Sequence, residues 1–262
     1  MNLGLSGKRC IITGASRGIG AAIAKALANE GAKLALIARG REDLETLAKS
    51  ISSESKVDVV FFGTDLSSPF ELGRSMTDAI EKLGGVDVLI NNAGSSAFGS
   101  FDTISDQDWE DAFNLKLMGY VRGMRSVLPY MRSQCSGRII NIIGMAGRFS
   151  SSNYSLGCFN AALLHLTKSM GDYLAPDGVA VLAVNPGFTG TDRILRAMEI
   201  WAKEMKVSKE EFSESYLREV PLGRLVDPAE VGKVVTFLCS DIANAMSGSS
   251  VQVDGGASKG SF

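Results

Sequence analysis

Two hydrophobic patterns alternate along the whole chain. Short runs of β-branched and other aliphatic residues are followed by longer segments in which apolar residues recur every three to four positions. Several of the short runs are almost continuously apolar, which is typical of strands buried on both faces of a parallel sheet. The pattern predicts seven strands, at residues 9–13, 33–38, 58–63, 86–91, 137–143, 179–185 and 250–254.

The longer segments have the spacing of amphipathic helices. They predict six main helices, at residues 19–30, 41–52, 69–83, 105–131, 155–175 and 228–240. Strands that alternate with helices form a parallel sheet with helices on both faces, because each crossover must return over the sheet. We therefore predict an α/β protein with a doubly wound, seven-stranded parallel sheet that forms a single domain over residues 1–262.

One segment, residues 192–222, interrupts this alternation. It lies between the sixth strand and the last main helix, and it is amphipathic, helix-prone and longer than a connection needs to be. We interpret it as a helical lid over a substrate site. The alternative is a surface excursion or a contact between subunits.

Composition excludes several classes of protein. Hydrophobic residues make up 45% and charged residues 21% of the 262 positions, which suffices for a large core and argues against disorder. The net charge is −2 with acids and bases interspersed, so nucleic acid is not an expected partner. No apolar run has the roughly 18 to 20 residues that span a bilayer, and no signal peptide is evident, so we expect a cytoplasmic protein without a membrane partner. Four scattered cysteines and one histidine predict no metal site.

A glycine-rich turn joins the first predicted strand to the first helix. It reads TGASRGIG over residues 13–20. Glycines at these places allow a tight turn and let the backbone approach a pyrophosphate, and amides at the start of the helix hold the anion. The turn predicts a bound dinucleotide, although such a turn can also be purely structural. The residues expected to contact the dinucleotide are Gly14, Ser16, Arg17, Gly18, Ile19 and Gly20.

The end of the second strand selects the type of dinucleotide. An acid there would bind the adenosine ribose diol, whereas a basic residue would meet a 2′-phosphate. The chain has Arg39 at this place, and Arg17 lies in the glycine-rich turn. Two guanidinium groups can converge on one phosphate because arginine binds phosphate oxygens in a bidentate manner. We predict NADP(H) rather than NAD(H), with the alternative that either arginine is a solvated surface charge.

Further motifs resemble those of a known family. The glycine-rich turn is followed by NNAG at residues 91–94, NPG at 185–187 and VDGG at 253–256. In this order and over nearly the whole chain, they resemble the short-chain dehydrogenase/reductase family, which has a Rossmann-type fold. The resemblance implies an oxidoreductase that assembles as a homodimer or homotetramer through the helices predicted at 105–131 and 155–175.

The same resemblance implies further cofactor contacts. One pair of residues would bind adenine, the NNAG motif would line the nicotinamide-side ribose, and the segment 186–191 would hold the carboxamide. The residues implied are, in that order, Asp65 and Leu66; Asn92, Ala93 and Gly94; and Pro186, Gly187, Thr189 and Thr191.

The family's catalytic helix has a clear counterpart here. In the family a tyrosine moves the proton, and a lysine four residues later lowers the pKa of that tyrosine. The segment NAALLHLTKS at residues 160–169 is similar to the end of this helix. That registration places Leu156 at the tyrosine position and Asn160 at the lysine position.

Two other family residues are also replaced. The family's serine orients the substrate oxygen, and an asparagine anchors a water in the relay. The segment NIIG at 141–144 places Gly144 at the serine position, or Ile143 if the loop is shortened earlier. The segment FNLKLMG at 113–119 places Lys116 at the asparagine position. The resemblance therefore implies an atypical member without the usual proton relay.

Three residues are candidates for a replacement relay. Tyr154 lies two residues before the tyrosine position and can turn its phenol toward the site, or else it lines a pocket or packs on the surface. Lys116 and Asn160 look like an exchange of the family's lysine and asparagine between neighbouring helices, with the alternative that Lys116 only satisfies a kinked helix. Water or the substrate itself are the remaining sources of the proton.

The residues around this gap predict an apolar substrate pocket with arginines at its rim. They are Gly144, Met145, Arg148, Phe149, Leu156, Phe188 and Arg193. We therefore predict an NADP(H)-dependent oxidoreductase with a noncanonical proton donor, acting on an apolar carbonyl, imine or alcohol. The alternative is an NADP(H)-binding protein without redox activity, or one whose pocket serves non-redox chemistry.

Overall fold

The computed structural model describes residues 2–95, 97, 99, 101–149 and 154–259, and it contains the predicted parallel sheet. Seven strands form it in the spatial order β3-β2-β1-β4-β5-β6-β7, with every neighbouring pair parallel. The strands are β1 (Arg9–Thr13), β2 (Lys33–Ala38), β3 (Val59–Gly63), β4 (Val88–Asn91), β5 (Gly137–Ile142), β6 (Val179–Pro186) and β7 (Ser250–Val253).

Helices cover both faces of this sheet. Those described are α1 (Gly18–Asn29), α2 (Arg41–Ser55), α3 (Pro69–Leu83), α4 (Asp106–Ala112), α5 (Gly119–Gln134), α6 (Tyr154–Leu174), α7 (Asp192–Glu204), α8 (Lys209–Leu217) and α9 (Pro228–Leu238). No helix in the ranges above is long and apolar enough to cross a membrane. The prediction of a single-domain, doubly wound α/β fold is confirmed.

The two faces of the sheet carry separate hydrophobic clusters. Neighbouring residues on a strand point to opposite faces, so Ile11 packs in one cluster and Ile12 in the other. The cluster around Ile12 includes side chains of α1, α2 and α9, and the cluster around Ile11 includes side chains of α3, α5 and α6. Burial on both faces explains why the strand sequences are almost continuously apolar.

The helix predicted over residues 105–131 contains a π-helical segment. α4 ends at Ala112, a π-helical segment runs over Phe113–Met118, and α5 follows to Gln134. The wider turn carries Lys116, whose side chain is buried and donates hydrogen bonds to backbone carbonyls at the end of β5. Such π segments often occur at functional sites. The predicted helix is therefore present, and the π-helical segment within it coincides with the hydrogen bonds of Lys116 to a distant strand.

The segment 192–222 folds as two helices joined by a short turn. Thr191 caps α7, and Ser208 forms a reciprocal capping box with Glu211 at the start of α8. A salt bridge between Lys209 and Glu199 links the two helices. Since both follow the carboxyl end of β6, they stand beside the edge where parallel strands of this fold bind ligands.

Candidate active site

A cavity of about 1220 Å³ opens above the carboxyl ends of the central strands. It extends across the point between β1 and β4 where the strand order reverses, which is the ligand-binding place of doubly wound sheets. We call the part beside residues 14–19 and 38–40 the glycine-turn end. The part beside residues 142–146, α7 and α8 is the lid end.

Close backbone packing shapes the glycine-turn end. Gly14 has a φ of +65°, and a Cβ atom added there would lie 2.8 Å from Ala93 Cα. The Asn92 side-chain amide donates to Thr13 O at 3.1 Å and to Gly14 O at 3.0 Å, which braces the turn from beneath. A Cβ on Gly20 would lie 2.2 Å from Gly14 O, so Gly20 serves helix packing and does not line the cavity.

The first turn of α1 is open to an anion. Arg17 occupies the N-cap position without a capping hydrogen bond from its side chain, and no acidic residue lies in the first turn. Gly18 has a φ of +56°, and a Cβ there would lie 3.2 Å from Thr191 Cγ2, so the loop after β6 closes over this turn. Free amides in a cradle that a Cβ would fill fit a pyrophosphate.

Two arginines line the glycine-turn end without an internal partner. The Arg17 and Arg39 side chains are exposed, and neither makes a hydrogen bond or salt bridge to another described residue. Leu66 lies in the cavity wall beside them, whereas Asp65 does not. The Asp65 carboxylate accepts hydrogen bonds from Ser67 N at 3.0 Å and Ser67 Oγ at 2.8 Å, and these bonds lower the pKa of Asp65.

At the lid end, the ammonium of Lys116 sits at the inner wall. Its Nζ donates to Ile142 O at 2.8 Å, to Tyr120 OH at 3.1 Å and to Ile143 O at 3.2 Å. The Tyr120 hydroxyl itself donates to Ile142 O at 2.7 Å. The stem of the lysine crosses Gly94, where a Cβ would lie 2.7 Å from Lys116 Cδ. Only 4% of the Lys116 side chain is exposed.

Burial brings the pKa of Lys116 close to neutrality. Desolvation disfavours the charged form, and the positive charge of Arg193 adds to this effect, so the pKa falls from 10.5 to about 7. Arg193 lines the cavity from the first turn of α7 and donates from Nη1 to Gly94 O at 3.0 Å. Near pH 7 the buried amine can therefore exist in both protonation states.

Two described residues of the same cavity wall have side chains that cannot carry a proton. Leu156 of α6 and Gly144 after β5 both line the cavity. Gly144 has a φ of +121°, and a Cβ there would lie 3.2 Å from Asn160 Nδ2. Asn160 is 1% exposed and lies behind this wall, and its Oδ1 has no hydrogen-bond partner in the part of the chain that is described.

Sequence comparisons agree with this architecture. The profile of the short chain dehydrogenase family matches residues 8–199. The chain belongs to this family. The 3-oxoacyl-(acyl-carrier-protein) reductase FabG of Aquifex aeolicus is 34% identical over 98% of this chain and 99% of its own length. The NADPH-dependent reductase BacG of Bacillus subtilis is 29% identical over 97% of this chain and 99% of its own length.

A solved structure gives the same result. The L-sorbose reductase of Gluconobacter frateurii, in complex with NADPH and L-sorbose, superposes with a TM-score of 0.93 at 30% identity. The superposition covers 99% of this chain and 100% of that chain. The protein is thus a short chain dehydrogenase whose whole length matches reductases.

Most of the predicted site residues of this short chain dehydrogenase line the cavity. In addition to those above, the cavity wall includes Ser16, Ile19, Ala93, Gly94, Met145, Phe149, Pro186, Gly187, Phe188, Thr189 and Thr191. The predicted residues that the structure places outside the wall are Gly20, Asp65, Arg148, Tyr154 and Asn160.

Two of these five point to other partners. Tyr154 is 38% exposed, and its ring meets Phe101 edge to face at 5.5 Å between centroids. Arg148 Nη2 donates to Ser250 Oγ at 2.6 Å, so its guanidinium faces β7. The position of Arg148 at the pocket rim stays a prediction, and this hydrogen bond joins it to a residue 102 positions away in sequence.

Several wall residues were not predicted from the sequence. Trp201 of α7 and Phe212 and Tyr216 of α8 line the lid end, and Tyr120 holds Lys116 in place. The spacing of Phe212 and Tyr216 puts both rings on one face of α8, which was a usable signal. Their alignment with Trp201 depends on how the two helices pack, and no local pattern contains that information.

Proposed function

We propose that this protein is an NADP(H)-dependent oxidoreductase that acts on an apolar carbonyl, imine or alcohol and moves the proton without a tyrosine. One observation carries the proposal. The cavity has an open dinucleotide cradle at one end, while the wall of the same cavity includes a buried Lys116 together with Leu156 and Gly144. The cavity thus combines residues that can bind the cofactor with a lysine, instead of a tyrosine, as the group that can donate the proton.

The glycine-turn end supports the choice of cofactor. The free amides of α1 fit the pyrophosphate, and Arg17 and Arg39 offer two guanidinium groups to a 2′-phosphate. BacG is named as NADPH-dependent, and the L-sorbose reductase was solved with NADPH. When bound, NADPH supplies the hydride. Gly94, Pro186, Gly187, Thr189 and Thr191 would line its nicotinamide half.

The proton would come from Lys116. On the registration of α6 described above, Leu156 and Gly144 replace the family's tyrosine and serine, so no hydroxyl stands at either place. The Lys116 ammonium can donate one Nζ–H to the alkoxide that forms when a carbonyl accepts a hydride, once that N–H leaves the Tyr120 oxygen. The neutral amine then keeps two N–H donors for the carbonyl oxygens of Ile142 and Ile143, and its lone pair can accept a hydrogen bond from the Tyr120 hydroxyl until the amine is reprotonated.

Replacing Lys116 by methionine tests this assignment. The Lys116→Met variant should bind NADPH normally, because the cradle is untouched, but its kcat for ketone reduction should fall about 100-fold or more. In the wild type, the same kcat should decline as pH rises through about 7, since the ammonium is lost. The exposed Lys168 on α6 provides a matched Lys168→Met control. Unchanged kcat in Lys116→Met would refute the assignment.

A second function is favoured by a different observation. All three N–H donors of the Lys116 ammonium are already engaged by protein acceptors, as expected for a structural cation. In that case the protein binds NADP(H) without redox activity, or uses its pocket for non-redox chemistry. Two measurements distinguish the two functions. Calorimetry measures NADPH binding, and absorbance at 340 nm measures NADPH consumption in the presence of ketones, aldehydes or cyclic imines. Binding without any consumption supports the second function.

Two further features belong to the proposal. Helices α7 and α8 would act as the lid over the reacting end.

The protein would assemble as a homodimer or homotetramer through α4, α5 and α6. Exposed aromatic rings on two of these helices support an interface, since Tyr130 on α5 is 41% and Tyr173 on α6 is 62% exposed. Light scattering at micromolar concentration should give a multiple of 27.8 kDa, and a monomer mass would contradict the assembly.

A further inference from the structure

Four aromatic side chains form a continuous surface at the lid end, which we call the aromatic wall. It consists of Phe188 after β6, Trp201 on α7, and Phe212 and Tyr216 on α8. The ring centroids of Phe188 and Tyr216 are 4.1 Å apart, and those of Phe212 and Tyr216 are 5.6 Å apart. Trp201 lies 5.9 Å from Tyr216 and 6.1 Å from Phe212. The rings therefore touch in a chain from β6 to both lid helices.

The aromatic wall is a surface of the cavity and not the core of the lid. All four rings are only half-buried, and all four line the cavity. Burial raises the pKa of Tyr216 well above its usual value, so its hydroxyl stays neutral and the wall itself carries no charge. Aromatic pairs prefer offset-stacked or edge-to-face arrangements, and a flat, conjugated ligand can adopt either against rings that line a cavity.

Positive charge surrounds the aromatic wall. Arg193 and Arg196 line the cavity from one face of α7, three positions apart, and Lys116 lies at the inner wall. Asp192 is the acidic residue that lines the same end. Three basic groups against one acid favour a ligand with a negative charge, and the planar fork of a guanidinium matches a carboxylate.

The size of the cavity leaves room for such a ligand beside the cofactor. Pockets for one small molecule typically measure about 300 to 1,000 Å³, whereas this cavity measures about 1220 Å³. The aromatic wall begins at Phe188, directly after the NPG motif, and continues to Trp201 on the lid. A ligand stacked on it therefore extends from the segment after the NPG motif toward α7.

We infer that the substrate is a planar aromatic compound with a carboxylate, its rings stacked on the aromatic wall and its carboxylate paired with Arg193. Arg196, on the same face of α7, is the second cation within the site. The inference rests on the proposed function for the reaction itself, because it names the substrate class of the same site. Binding alone tests it, so it does not depend on turnover.

Three probes separate ring stacking from charge. Calorimetry in the presence of NADP⁺ compares 2-naphthoate, 2-naphthamide and decahydro-2-naphthoate, which differ in charge and in planarity. We expect 2-naphthoate to bind about 10-fold or more tightly than the amide, as for a charge-assisted pair. We expect it to bind about 2- to 10-fold more tightly than the saturated acid, as for aromatic contacts beyond their area. Equal affinity for the acid and the amide would overturn the inference, and so would equal affinity for the planar and saturated acids.

Matched variants locate the binding residues. Arg193→Met should weaken 2-naphthoate binding about 10-fold or more, whereas Arg218→Met, at the end of α8 and outside the cavity wall, should not. Trp201→Leu should weaken it about 2- to 10-fold, and Trp109→Leu, the other tryptophan of the chain, should not. Naphthoate affinity that is insensitive to both Arg193→Met and Trp201→Leu would also overturn the inference.

Failure of the substrate class and failure of the redox function give different results. Specific naphthoate binding with no NADPH consumption, even with an aryl keto acid, supports the substrate class and refutes the reductase. NADPH consumption with uncharged ketones, together with equal binding of 2-naphthoate and 2-naphthamide, supports the reductase and refutes the substrate class.

Discussion

The two ends of the cavity are built in different ways. At the glycine-turn end the groups that face the cavity include backbone, at Gly14, Gly18 and the free amides of α1. At the lid end the cavity is lined by side chains, which include Lys116, Arg193 and the aromatic wall. A backbone cradle is preserved as long as its glycines remain, whereas side-chain chemistry changes with every substitution. A family can therefore keep its cofactor site while its reacting site diverges.

The charged groups at the two ends of the cavity also differ, because those at one end are exposed and the one at the other end is buried. Arg17 and Arg39 are exposed and make no side-chain hydrogen bond or salt bridge within the described ranges, so they are available to an anion. Lys116 is buried and fully hydrogen-bonded, so its charge is opposed by desolvation and its pKa falls to about 7. One end attracts a charged ligand, and the other can exchange a proton near neutral pH.

The largest effect expected concerns the proton at the lid end. Hydride addition to a cyclic iminium gives a neutral amine, whereas hydride addition to a ketone gives an alkoxide that must be protonated. The wild type should therefore reduce the iminium far better than the matching ketone. Introducing Leu156→Tyr with Asn160→Lys should then raise kcat/KM for the ketone about 100- to 10,000-fold and that for the iminium much less. Stopped-flow measurements of NADPH consumption with both acceptors give the ratio of kcat/KM for the ketone to kcat/KM for the iminium.

The structure limits which substitutions can be used to introduce the family's proton donor. Gly144 is left unchanged, because its φ of +121° strains any residue with a side chain. Asn160 is 1% exposed, so the lysine introduced there can disturb folding, and Leu156→Tyr alone serves as the second variant. Brisk ketone reduction by the wild type that survives Lys116→Met would contradict the proposed difference between the two ends.

The buried charge of Lys116 should also affect stability. Its pKa is about 7 when folded and 10.5 when unfolded, so between these values the unfolded chain binds the proton more strongly. The free energy of unfolding of the wild type, relative to Lys116→Met, should therefore rise with pH. The slope is about 1.4 kcal/mol per pH unit, or roughly 2 to 3 kcal/mol between pH 7.5 and 9.5. Urea unfolding of both proteins at the two pH values measures this change. If the difference in unfolding free energy between the two proteins is the same at both pH values, folding does not lower the pKa of Lys116.

The fold was predictable because its signals are local. α3 was expected at residues 69–83 and is found at Pro69–Leu83, where Ser68 caps the helix, Pro69 occupies its first turn and Gly84 ends it with a φ of 73°. The π-helical segment Phe113–Met118 had no such signal, since it coincides with hydrogen bonds between Lys116 and a distant strand. Local propensity specifies element boundaries, and long-range contacts modify them.

The site was predictable to a similar limit. Arg17 and Arg39 were found because a glycine-rich turn and a strand end fix where their backbone lies. Tyr154 and Arg148 were placed near the substrate from their position in sequence alone, but the direction of a side chain depends on its partners, here Phe101 and Ser250. The aromatic wall was missed because two helices and a loop build it together.

A smaller effect is expected at the glycine-turn end. Arg39→Asp removes a guanidinium from the cavity wall and adds a negative charge beside the 2′-phosphate. NADPH binding should weaken by roughly 1 to 3 kcal/mol, whereas NADH binding should strengthen, because an acid at this place can bind the adenosine ribose diol. Calorimetry with both nucleotides measures this, with Arg74→Asp on the outer surface of α3 as the control. Wild-type affinity for NADH equal to that for NADPH would contradict the cofactor preference.

The smallest effect should come from Asp65, which the family resemblance assigned to adenine. Its carboxylate is engaged by Ser67 N and Ser67 Oγ and lies outside the cavity wall, whereas the neighbouring Leu66 lines it. Asp65→Ala should therefore leave the NADPH dissociation constant within about 3-fold of the wild type, because no contact with the cavity is lost. It should instead lower the free energy of unfolding by about 0.5 to 1.5 kcal/mol through the lost turn hydrogen bonds. Those bonds lower the pKa of Asp65, so their contribution is present at neutral pH and is lost as pH falls through that lowered pKa. Calorimetry with NADPH and urea unfolding at pH 7 and pH 3 check both parts, and a large loss of affinity with unchanged stability would return Asp65 to the cofactor site.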